Sequence, residues 1–171
     1  DLHSFPTRRS SDLCDCPQRP QALAAFESQW GDDPLVMDKW FAVQANSKLP
    51  GTLHAVKQLM RHPAFSLRNP NKVRSLVGVF CSANVSGFHA ADGTGYAFLA
   101  DQVIALNELN PQIAARMVAA LIRWKRFEPG RQALMKQALE TDIDTAVKEA
   151  ITGWQDNMNS AAGSREYGDK L

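Results

Sequence analysis

Three cysteines, Cys14, Cys16 and Cys81, are the only thiols in the 171 residues. So small and odd a count excludes a disulfide framework, and with no apolar signal-peptide core it points to a reducing compartment, the cytoplasm. A thiolate zinc site takes about four ligands, so Cys14 and Cys16 would supply only half of one. No apolar run approaches the ~18 residues that a membrane span requires. Charge of one sign is lacking too, since 19 Lys and Arg against 18 Asp and Glu leave a net +1. That balance argues against a nucleic-acid partner gripped by neutralising many phosphates. With 44% hydrophobic and 22% charged residues the chain has the composition of an ordinary globular protein, and its length suits one domain of roughly 100–200 residues.

Complete catalytic constellations are missing as well. A zinc-peptidase HExxH helix needs two histidines one turn apart with a glutamate beside the first. Here His3, His54, His62 and His89 are followed by Ser, Ala, Pro and Ala. There is no Gly-x-Ser-x-Gly elbow and no Gly-x-x-x-x-Gly-Lys phosphate loop. The glycine-bearing stretch from His89 to Tyr96, HAADGTGY, has two glycines and no strand before it. It is expected to be a loop in which Asp92 or Thr94 caps the next helix while Gly93 and Gly95 relieve backbone strain. His89 is then a hydrogen-bonding loop residue rather than a base.

What is present is helical periodicity. Residues 1–13, DLHSFPTRRSSDL, carry no periodic apolar face and resemble a translated sequencing adapter. They are expected to be an artefact, disordered and outside the fold. From Pro17 onward apolar residues recur at three- and four-residue spacings, and strand-like alternation is almost absent. Leu35, Val36, Trp40 and Val43 form one stripe, Leu53, Val56, Leu59 and Met60 a second, and Val73, Leu76, Val77 and Phe80 a third. Leu99, Val103 and Leu106 follow, then Ile113, Met117, Leu121 and Ile122. Asp33-Pro34, Asn69-Pro70 and Asn110-Pro111 each set a capping side chain before a proline at the first helical position, where the missing N–H costs nothing.

Those starts lie 36 and 41 residues apart, with a further helix, around Leu53 to Arg61 or Tyr96 to Leu109, in each interval. Helix pairs in this rhythm predict an all-α fold, an irregular superhelix of antiparallel pairs like HEAT or armadillo arrays, whose repeats run about 40–47 residues. A plain helical bundle is the competing architecture. The domain is expected to span 14–154, with a last helix at Ile143, Val147 and Ile151 and a polar, disordered tail over 155–171. Trp30, Phe41, Phe80, Phe98 and Trp124 are expected in the core.

Two groups of cations stand out. Arg123, Lys125, Arg126 and Arg131 cluster near the end of the helix that begins at Pro111, where cations complement the macrodipole. A solvated helix end explains them. Arg74 and Arg116 lie in the second turn of their helices, four and five positions after Pro70 and Pro111, where dipole logic gives cations no benefit. Either they are ordinary surface arginines or, if successive helix pairs stack in register, they emerge on one side and grip a carboxylate.

The segments DDPLVMDKWFAVQA (32–45), HPAFSLRNPNKVRSLVGVF (62–80) and FHAADGTGYAFLADQVIALNELNPQIAARMVAALIRWKRFEPGRQ (88–132) strongly resemble the C-terminal domain of bacterial alanyl aminopeptidases (aminopeptidase N), within the M1 zinc peptidase family. The likeness covers about residues 16–140 and gives out after about Ala138. It implies a helical, superhelical domain, truncated at its N-terminal side, that closes over an upstream catalytic domain and walls a chamber where N-terminal residues are removed from peptides by zinc-activated water. Zn2+ would be held upstream, and no residue here matches its ligands or the catalytic glutamate. Arg74, in NPNKVRSL, and Arg116, in NPQIAARM, correspond to arginines that face the chamber and meet the carboxylate end of the peptide. The resemblance thus implies an aminopeptidase fragment, inactive alone, whose partners are peptide substrates and the upstream domain. The competing reading is a free-standing helical-repeat scaffold that binds a protein in its concave face.

Overall fold

A computed structural model describes residues 18–140, all of whose regular elements are helical. The expectations for residues 1–13, for the Ile143–Ile151 helix and for the tail fall outside the described residues. The chain divides into two compact units, 1–95 and 96–171.

In the first unit the helices are α1 (Gln18–Trp30), α2 (Pro34–Ala45), α3 (Thr52–Leu59), α4 (Pro70–Val73), α5 (Val79–Ala83) and α6 (Val85–Phe88). A π-helical turn, Arg74–Gly78, joins α4 to α5. The helix α7 (Thr94–Leu109) begins in this unit and runs into the second, which also holds α8 (Pro111–Ile122), a 3-10 turn (Arg123–Arg126) and α9 (Pro129–Glu140).

The helix starts follow directly from local chemistry. Asp33 Oδ1 accepts from the Leu35 and Val36 N–H groups at 2.9 and 3.2 Å, satisfying donors that the first turn leaves free. Asn69 does the same for Asn71 (2.9 Å) and Asn110 for Ile113 (3.3 Å), and each cap precedes a proline at the first helical position. By contrast α3 starts from Gly51 at φ 80 with no side-chain cap bond. Its anchor is Thr52, whose hydroxyl donates back to the Ser47 and Leu49 carbonyls at 2.9 and 2.7 Å.

The stripe expected on α2 is displaced. Met37, Trp40, Phe41 and Ala45 are buried, Val36 and Val43 are half-buried, and Leu35 is 70% exposed. Apolar residues occupy most positions of PLVMDKWFAVQA, so periodicity alone does not select the inward face. Long-range polar contacts help to select it. Lys72, buried, holds Nζ 5.6 Å from the Phe41 ring centroid and brings it to the Pro34 carbonyl and to Asp38 Oδ1, both at 2.8 Å. At the other end of α2, buried Asn84 donates Nδ2 to the Ala45 and Ser47 carbonyls at 3.0 and 2.6 Å. Its Oδ1 accepts the Gly87 N–H that opens α6.

Elsewhere the core matches expectation more closely. Val73, Leu76, Val77 and Phe80 are all fully buried, as are Leu99, Val103 and Leu106 of α7. Of the second stripe Val56 is buried and Leu53, Leu59 and Met60 are half-buried. On α8 the buried face is Ala114, Val118 and Leu121, while Ile113, Met117 and Ile122 flank it half-buried. Among the aromatics Phe41, Phe80 and Phe98 are buried, but Trp124 is half-buried and Trp30 is 37% exposed. Trp30 packs instead on Phe26 of its own helix, one turn away, with ring centroids 6.5 Å apart.

Cys81 sits in this core, and burial pushes its thiol far above the usual range, so the nucleophilic thiolate is suppressed. Alkylation of Cys81 by iodoacetamide, followed by peptide mapping, is expected to be at least about tenfold slower in the native chain than in concentrated urea. Equal rates in both conditions would refute its burial.

Candidate functional site

Arg74 is the first residue of the π-helical turn and is exposed, whereas Ser75, Leu76 and Val77 behind it are buried. A π turn accommodates an extra residue within the run of a helix, which turns the side chains around it relative to a regular helix. The Arg74 guanidinium donates through Nη2 to Asn71 Oδ1, one turn earlier. Sequence reading missed Asn71 as the group that orients Arg74. The three-residue spacing that lets them meet was available in the sequence. Arg116 lies exposed in the second turn of α8, in the second unit. Each arginine is thus exposed to solvent on its own unit.

The His89–Tyr96 stretch is an irregular loop ending in the first turn of α7. Asp92 Oδ1 accepts from the Thr94 N–H at 3.1 Å and the Thr94 hydroxyl at 2.8 Å, and these two bonds hold its carboxyl below the usual carboxylate range. Gly93 adopts φ 73, which L side chains avoid. Gly95 is needed for a different reason than the one expected. Its φ is not positive, but a Cβ there would stand 2.2 Å from the Phe88 carbonyl oxygen. His89 is half-buried, its ring edge-on to Phe88 at 4.9 Å.

Tyr96 opens the second unit as a buried residue, and burial raises its hydroxyl above the ordinary range. Arg131 opposes that shift and Glu128 adds to it. Those two form an ion pair at 2.9 Å. Arg123, Lys125 and Arg126 are exposed on the 3-10 turn, with Lys125 Nζ 5.7 Å from the Trp124 ring centroid, as a solvated helix end should be.

Among the described residues no group of three His, Cys, Asp or Glu is arranged to hold a metal ion. Two of the described histidines are engaged otherwise: His54 contacts Gln58 at 3.0 Å and His62 contacts Glu27 at 2.7 Å. The zinc of the peptidase chemistry therefore has no fitting donor set in the described part of this chain. No described helix is long and apolar enough to cross a membrane.

Capped helices packed within each unit define an all-α fold with no metal-binding cluster among the described residues. Residues 9–146 match the family described as "Domain of unknown function (DUF3458_C) ARM repeats", and the chain belongs to that family. Aminopeptidase N of Haemophilus influenzae is 52% identical over 122 residues, covering 71% of this chain and 14% of the relative. Aminopeptidase N of Escherichia coli is 44% identical over 124 residues, covering 72% of this chain and 14% of the relative. Among solved structures, Legionella pneumophila aminopeptidase A in complex with aspartic acid superposes with a TM-score of 0.76 at 33% identity, covering 84% of this chain and 17% of that one. This chain therefore spans about a seventh of the curated aminopeptidases it matches. Residues 132–171 also match a model described as the insertion domain of pyruvate-ferredoxin oxidoreductase.

Proposed function

We propose that the chain is the C-terminal helical part of a zinc-dependent, cytoplasmic aminopeptidase of the M1 type. In this reading it walls the chamber in which N-terminal residues are removed from peptides and contributes no chemistry of its own. The observation that carries the proposal is the 52% identity over 122 residues to an aminopeptidase N. On the aminopeptidase likeness, Arg74 and Arg116, each on its own unit, are assigned to gripping the peptide's carboxylate end. Both guanidiniums are exposed and rigidly based on helices, and a planar fork of donors suits a carboxylate. The upstream catalytic domain is the partner that would supply the zinc and the activated water. No hydrolytic step is assigned to a residue of this chain.

The test compares the chain with its whole parent enzyme. The purified chain is expected to hydrolyse no aminoacyl anilide and to retain no zinc after dialysis, and the parent to hydrolyse it in a chelator-sensitive manner. Stoichiometric zinc on the chain, or chelator-sensitive turnover by it alone, would overturn the reading. A parent that hydrolyses no aminoacyl substrate would do the same.

A further inference from the structure

Helix α1 is held in a manner unlike the rest of the first unit. It buries no residue, and its inward stripe of Arg19, Leu23, Phe26 and Glu27 is only half-buried. Side chains from two other elements reach it by hydrogen bonds. The Trp40 indole N–H donates to the Leu23 carbonyl at 3.0 Å, and His62 Nε2 meets Glu27 Oε1 at 2.7 Å. Because the Ala64 N–H donates to His62 Nδ1 at 3.0 Å, the ring proton belongs on Nε2 and is given to Glu27.

The surface beneath is assembled without α1. Phe41 lies edge-on to Trp40, His62 and Phe65, with centroids 5.3, 5.6 and 6.0 Å apart, and Trp40 meets His62 at 5.4 Å. Trp40, Phe41 and Phe65 are buried. The floor is therefore locked by its own ring contacts, while the helix above it adds polar ties and half-buried area. Elements with few buried apolar contacts open at lower free energy than the core they rest on.

We propose that α1 is a strap that opens as a unit by local unfolding, hinged at Gly31–Asp33, and leaves α2 and the aromatic floor folded. Opening frees two donors, the Trp40 indole N–H and the His62 Nε2–H, on a preformed apolar surface. The Glu27–His62 contact is the latch, since it joins the strap's last turns to the 62–65 turn across 35 residues of sequence. Glu27 is also partly solvent-exposed, so truncating it removes the latch without making a cavity in the core.

Amide hydrogen exchange of the full chain, read by mass spectrometry, tests this. In the wild type, peptides covering residues 22–30 are expected to exchange at least about tenfold faster than those covering 40–45, once corrected for intrinsic rates. Glu27→Ala should accelerate residues 22–30 a further severalfold, up to about tenfold, the loss expected for a single partly exposed hydrogen bond, and leave 40–45 unchanged. Trp40→Phe, which leaves a smaller aromatic ring in the floor and removes the indole donor, should also accelerate 22–30 more than 40–45. Equal protection of both segments in the wild type would overturn the strap. So would equal acceleration of both by Glu27→Ala, because either result makes α1 part of one cooperative unit with the core.

Discussion

Replacing Gly95 by Ala is expected to destabilise the protein by about 2–3 kcal/mol, the upper part of the range for overpacking. The added Cβ would lie 2.2 Å from the Phe88 carbonyl oxygen and 2.8 Å from that residue's carbonyl carbon and Cα. All three are backbone atoms, so no side-chain rotation relieves the overlap, and either α6 or the start of α7 must move. Phe88 is not free to yield, because its ring is buried and lies edge-on to Phe80 at 6.3 Å. Against this stands the intrinsic preference of helices for Ala over Gly, worth at most about 1 kcal/mol. The clash prevails, and for a protein of this size the melting temperature should fall by roughly 4–12 °C. Gly130→Ala is the control. There the nearest atom to an added Cβ is the Glu128 carboxylate oxygen at 3.6 Å, on an exposed and flexible side chain. That variant should be neutral or stabilising by about 0.4–1 kcal/mol. A melting temperature for Gly95→Ala equal to that of Gly130→Ala would show that α6 and α7 do not approach as closely as described.

Gly95 also marks where reading the sequence reaches its limit. A glycine in a loop-like stretch suggests relief of backbone strain, and for Gly93 that is the right physics. For Gly95 the cause is the approach of another segment, which no local pattern encodes. The Asx-Pro helix starts were legible because cap and proline act on the turn that immediately follows them. The inward face of α2 was not, because its apolar residues surround the helix and the choice is made by contacts across 38 and 39 residues of sequence, from Lys72 to Pro34 and from Asn84 to Ala45. The π turn at Arg74–Gly78 has no composition that announces it. Helical position was therefore readable for Arg74 and Arg116; spacing left a carboxylate grip as one of two readings of them, and the aminopeptidase likeness favoured it.

That role makes a selective demand on the parent enzyme. If the two guanidiniums hold the carboxylate end of a bound peptide, replacing either by Ala removes a charge-assisted hydrogen bond worth roughly 1.5–3 kcal/mol. Dipeptides and tripeptides, whose terminal carboxylate would then lie within reach of the fork, should lose roughly ten- to a hundredfold in kcat/KM. An aminoacyl anilide has no such carboxylate and should change little. Lys in place of either Arg should restore only part of the loss, because it keeps the charge but not the paired donors of the fork. Asn71→Ala offers a graded version of the same test, since it leaves Arg74 intact and removes the acceptor that orients it. Its effect should be smaller than that of Arg74→Ala, with the same bias toward short peptides. Equal losses on peptides and anilides would assign the arginines to folding or domain closure. No loss on either substrate would return both to the ordinary exposed surface of their helices.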